Sequence, residues 1–172
     1  VVMGSLPEQQ LSLGNAYEPD QPVVYVSYHD CEKFCEVLSE RMGEKYRLPT
    51  SDEWVYACRA GTTGVYSCPD EELKDYAVFD QEGITDVKTK KPNPWGLYDM
   101  HGNVWEWCVQ LNASKHSTQR VVRGGSWMNY LVHAKCFYRN SFDPAERYLA
   151  VGLRCVSGSR FTEIESEDMD DD

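Results

Sequence analysis

Between Asn93 and Trp127 the chain carries four glycines and four tryptophans. That mixture rules out a long helix or a long strand across the segment. Gly96, Gly102, Gly124 and Gly125 supply turns with positive φ, and the indoles supply large apolar area without needing regular elements to carry it. A chain of this kind has to build its core from aromatic side chains hung on turns and short strands. With 172 residues, 41% apolar and 12% aromatic, it is globular in composition and long enough to bury a core without disulfides or metal. Trp54, Trp95, Trp105, Trp107 and Trp127 are all expected inside.

Regular elements are expected mainly in the first third. Val23–Val26 reads as a buried strand. Ser27 and Asp30 have capping-box spacing before an amphipathic stretch, Tyr28 to Met42, whose apolar positions are Tyr28, Cys31, Cys35, Leu38 and Met42, with Gly43 as the stop. Thr50 and Glu53 form a second capping box, opening a helix through Trp54 and Cys58 to Arg59, closed by Gly61–Gly64. Helix signals then fade, and strands are expected at Arg120–Arg123 and Gly152–Val156. Two early helices followed by irregular chain with short antiparallel strands indicate an α+β fold of low regular content. One domain is expected over residues 1–160, with an acidic, disordered tail at 161–172.

The net charge is −11, and seven acids in the tail supply most of it. That balance excludes a phosphate-backbone binder, so no nucleic acid partner is expected. The longest clearly apolar run is the Val23–Val26 segment, far short of a membrane span. No signal peptide is visible at the start of the sequence. Seven cysteines are spread along the chain without a CxxC or zinc-finger spacing, and free cysteine packs as a small hydrophobe. Composition therefore leaves the compartment open. Asp99 and Glu106 lie seven residues apart around a glycine turn, a pattern that can wrap hard oxygen ligands around calcium or simply brace a turn.

Four stretches carry more than composition. They are Arg47-Leu48-Pro49-Thr50-Ser51-Asp52-Glu53-Trp54, Asn93 to Trp107, Arg123-Gly124-Gly125-Ser126-Trp127, and Gly152-Leu153-Arg154-Cys155. In this order they closely resemble the formylglycine-generating enzyme, or sulfatase-modifying factor, family. The resemblance covers residues 1–5 and 23–157 and implies a C-type-lectin-like fold. It departs from the family at Leu6–Gln21, where relatives carry several tens of residues. It implies a structural calcium held by side chains of Asp99 and Glu106 and carbonyls of Gly102 and Val104. A second calcium site of the family has no match near Tyr76–Asp80. The resemblance also implies that Cys35 neighbours Cys155 and that Cys58 neighbours Cys136, as disulfides or buried thiols according to compartment. The family's aerobic enzymes place two copper-binding cysteines after the Gly-Gly-Ser-aromatic unit. Here those positions hold Met128 or Asn129 and then Leu131 or Ala134, so no copper, no catalytic residue and no oxidation of a substrate cysteine are expected.

The segment 129–151 resembles the variable proteins of diversity-generating retroelements, several of which share this fold. In those proteins template adenines are randomised within Asn codons. Thirteen positions here (130–133, 137, 138, 141–143 and 148–151) hold residues that such codons can reach. Tyr130, Leu131, Val132, His133, Phe137, Tyr138, Ser141, Phe142, Asp143, Tyr148 and Leu149 are the expected ligand-binding residues. Aromatic side chains give large contact area with few rotors; Leu149 and Val151 could equally belong to the core. The expected function is non-enzymatic binding of a protein or other surface ligand. Display on a phage particle or cell surface follows from the resemblance alone. The alternative is a catalytically inactive or divergent paralogue acting as a partner subunit.

Overall fold

The structure is a computed structural model that describes residues 20–111 and 118–159. The Met3-Gly4-Ser5 start and the acidic tail lie outside the described residues.

Both capping boxes form. Ser27 Oγ accepts from the Asp30 N–H, and the Asp30 carboxylate accepts from the Ser27 N–H at 2.9 Å. Helix α1 (Tyr28–Met42) follows and ends at Gly43, whose φ is 68°. Its apolar stripe is buried at Tyr28, Cys31 and Cys35, while Met42 at the far end is exposed. Strand β1 (Tyr46–Arg47) leads into helix α2 (Ser51–Arg59), capped by Thr50 and closed by a left-handed Ala60, one residue before the expected glycine. A short helix α3 (Leu73–Tyr76) precedes β2 (Ala77–Val78). Then come β3 (His101–Gly102), β4 (Trp105–Cys108), β5 (Arg120–Arg123), β6 (Arg139–Phe142), β7 (Val151–Gly152) and β8 (Val156–Ser157). This mixture of a few helices and short strands is the expected α+β class.

The central sheet has the order β6-β5-β4-β7. Side chains alternate across it. Trp105 and Trp107 share a face with Val122 and Val151, and this face packs on α1 through Tyr28, Cys31 and Cys35. Cys108 and Val121 occupy the other face and pack on α2 through Trp54 and Cys58. The sheet is thus clamped between two helices that the sequence made visible.

Four expectations need correction. Val23–Val26 is buried or half-buried but forms no strand, because Tyr25 adopts φ 61° and breaks the extended path. The expected Gly152–Val156 strand is two short strands in different sheets, β7 beside β4 and β8 beside β1. Antiparallel pairing holds for β1–β8, β4–β5 and β5–β6, whereas β2–β3 and β4–β7 are parallel. The tryptophans divide as well. Trp54, Trp105 and Trp107 are buried, Trp127 is half-buried, and Trp95 is 49% exposed, edge-on to the exposed Tyr56 ring at 5.0 Å.

Candidate functional site

Residues 130–149 form a surface carried on fixed rings. Tyr130 is 73% exposed, Phe137 52% and Leu149 50%, and Leu131, Val132 and Asp143 are also exposed. Beneath them lie half-buried rings. His133 and Tyr138 meet at 4.8 Å over Trp105, and Phe142 and Tyr148 at 4.5 Å over Trp107. Since Trp105 and Trp107 point to one face of β4, these two ring pairs sit side by side. Ser141 is half-buried and pairs with Val121, so it belongs to the opposite face of the sheet from Phe142. Ala150 and Val151 are buried, which removes them from any ligand surface, while Leu149 is on it.

The loop carrying these residues is pinned from below. The 3-10 turn Leu131–Ala134 is held by the His101 ring on the Ala134 carbonyl at 2.7 Å and by the Tyr66 hydroxyl on the Leu131 carbonyl at 3.3 Å. Gly125 is required here, since a Cβ would come within 3.0 Å of the His133 carbonyl oxygen. Arg123 donates to the carbonyls of Phe137 and Tyr138 at 2.6 and 3.1 Å. Side chains fixed on a scaffold like this lose little freedom when a partner binds.

The Asp99–Glu106 turn has some features of a hard-cation site. Asp99 and Asn103 both adopt left-handed backbone, and Gly102 has φ 108°. Asp99 Oδ2 accepts from the Lys88 N–H at 2.9 Å, while its buried Oδ1 has no partner. Burial pushes this carboxyl above its ordinary value. Glu106 is buried and already engaged. Its Oε2 accepts from the Trp54 indole at 2.7 Å and Arg154 Nε at 2.9 Å, and its Oε1 accepts from Arg154 Nη2 at 2.7 Å. One lone pair on Oε1 therefore stays open. By chemistry, Asp99 Oδ1 and Glu106 Oε1 are hard oxygen donors of the kind calcium takes, with the Arg154 guanidinium on Glu106 opposing a cation by charge. The sequence reading singled out Trp54 and Arg154 but not their contacts with Glu106, which nothing in their spacing announces.

At the positions of the family's copper ligands the structure places an exposed Met128, a half-buried Asn129, an exposed Leu131 and a buried Ala134. The cysteines pair in space as the resemblance implied. Cys35 Sγ and Cys155 Sγ lie 3.6 Å apart. Cys58 and Cys136 form a second neighbouring pair, joined by the His101 ring. His101 was missed because its partners are 43 and 35 residues away in sequence.

The sulfatase-modifying factor enzyme 1-like domain matches this chain over residues 2–158. The inactive C-alpha-formylglycine-generating enzyme 2 of Bos taurus is 32% identical over 160 residues, covering 80% of this chain and 50% of that protein. Serine/threonine-protein kinase pkn1 of Chlamydia pneumoniae is 32% identical over 152 residues, covering 78% of this chain and 24% of that protein. The chain thus spans between about a quarter and a half of these curated relatives. Among solved structures, Treponema denticola variable protein 1 superposes with a TM-score of 0.74 at 25% identity, covering 82% of this chain and 72% of that one.

Proposed function

Because the chain belongs to the sulfatase-modifying factor enzyme 1-like family, we propose that it uses the family's fold to bind a protein or other surface ligand, without oxidising a substrate cysteine. The binding face lies within the segment 130–149, with contacts from Tyr130, Leu131, Val132, His133, Phe137, Tyr138, Phe142, Asp143, Tyr148 and Leu149. The carrying observation is that large apolar side chains stand exposed on a loop pinned to buried tryptophans. Exposed aromatic anchors on a fixed frame are the usual source of binding energy at interfaces. The likeness to Treponema denticola variable protein 1 supports a diversified face.

The absence of thiols at positions 128, 129, 131 and 134 supports a binding role, since thiolates are what hold copper(I). When bound, calcium at Asp99 and Glu106 would supply charge to the turn and brace β3 against β4, with the Gly102 and Val104 carbonyls as further ligands. Oxygen uptake by the copper-treated protein with a cysteine-containing peptide tests the proposal. No uptake above the peptide blank is expected. Formation of formylglycine in the peptide contradicts it.

A second reading, an inactive paralogue serving as a partner subunit, is favoured by the 32% identity to inactive enzyme 2. It requires the 130–149 face to have one fixed sequence.

A further inference from the structure

We propose that Cys58, His101 and Cys136 form a buried site for a thiophilic d10 cation, zinc(II) or copper(I), in the reduced protein. The two sulfurs and a ring nitrogen of His101 lie within 4.8 Å of one another. Two thiols and an imidazole in that proximity are the donor set that soft cations select. All three residues are buried, at 0%, 2% and 0% exposure.

The surroundings complete the site. His101 Nδ1 donates to the Ala134 carbonyl at 2.7 Å, the outer-shell contact that fixes the ring of a ligating histidine. This leaves Nε2 as the lone-pair nitrogen, which accepts from the Ser67 hydroxyl at 2.7 Å and the Ser67 N–H at 3.2 Å. Metal capture exchanges the Ser67 contact for the cation. Cys58 Sγ donates to the Met100 carbonyl at 3.8 Å, a contact that gives way when the thiol loses its proton to a cation.

Ser67 bonds His101 and also lines a cleft of about 600 Å³ together with Tyr66 and Cys68. Binding releases one proton from each thiol to solvent and moves no electrons. Copper(I) is satisfied by three ligands, whereas zinc(II) draws a fourth from the cleft. Oxidation to a Cys58–Cys136 disulfide and metal binding exclude each other, so the site belongs to the reduced chain.

The test titrates the reduced, metal-free full chain with zinc(II) and, separately, with copper(I) held by a competing chelator. X-ray absorption at the bound metal then counts its neighbours. One equivalent with two sulfur and one nitrogen scatterers is expected, with oxygen or nitrogen as the fourth for zinc. Cys136→Ser should weaken binding by more than about 100-fold, beyond what loss of an outer partner causes, and Ser67→Ala by less. Cys35→Ser/Cys155→Ser should leave binding unchanged. No stoichiometric binding of either cation, an all-sulfur shell, or an unchanged spectrum in His101→Gln overturns the proposal. The absorption measurement on the unmodified chain decides the matter even where a variant fails to fold.

Discussion

Glu53 does two jobs with one carboxylate. It accepts from the Thr50 N–H at 2.7 Å, closing the cap of α2, and it takes both Arg47 guanidinium nitrogens at 2.7 Å, tying β1 to that helix. Burial alone would raise its pKa, but Arg47 and the cap hold it below the ordinary value. A depressed folded pKa gives stability that is present above the unfolded value of about 4.3 and is lost as pH falls through the folded one. Glu53→Gln should therefore lower stability at neutral pH and flatten its fall below about pH 4.3, as read from urea midpoints across that range. Asp99 has the opposite sign. It is a buried carboxylate with one unpartnered oxygen, so Asp99→Asn should raise the melting temperature of calcium-free protein and abolish the rise that calcium gives the parent chain. Equal calcium-dependent stabilisation in both proteins would remove Asp99 from the ligand set. Glu53 was legible from its distance to Thr50. The demand at Asp99 was legible from its spacing to Glu106 around a glycine turn and from the family resemblance, but the Arg154 and Trp54 contacts to Glu106 were not legible at all, because they span 48 and 52 residues.

At the scale of elements, the helices were readable because their signals are local: an apolar stripe, a cap, a stop. The strands were not, because at two to four residues they are too short for alternation to develop. Their limits are set by contacts from distant chain. Val23–Val26 shows this well. Its backbone runs against Gly152, where a Cβ would strike the Val23 carbonyl, and Tyr25 N–H bonds the Tyr148 carbonyl at 3.2 Å. It is buried like a strand but lacks a ladder. Gly102 is the most demanding position, since it combines φ 108° with a Val78 carbonyl that leaves no room for a Cβ. Gly102→Ala should destabilise the fold by about 3 kcal/mol or more and spread the β2–β3 pairing. Gly43→Ala has open space around it and should cost about 1 kcal/mol through its left-handed backbone alone. Paired denaturation curves of the two variants check the difference.

At the largest scale, the central sheet separates two apolar clusters, one rich in aromatic rings and one built of Trp54, Met100, Val121 and cysteines, and the segment from Tyr130 to Leu149 includes its edge strand β6. The ring pairs over Trp105 and Trp107 belong to the core at their bases and to the surface at their rims. This division explains why the sequence suggested the face but could not sort it: Leu149 is out, while Ala150 and Val151 are in. Tyr130→Ala and Phe137→Ala remove side chains that are 73% and 52% exposed and outside the three core clusters, so each should change stability by less than about 0.5 kcal/mol. A larger loss by thermal denaturation would mean that these rings serve the fold. The central claim, a binding face free to vary over a fixed frame, is tested most directly by sequencing this gene and its surroundings in many isolates. The account expects substitutions at 130–133, 137, 138, 142, 143, 148 and 149, constancy at the buried Ala134, Cys136, Ala150 and Val151, and a near-repeat of the same codons beside a reverse transcriptase. A single copy with an unvarying 130–151 segment in every isolate would contradict it.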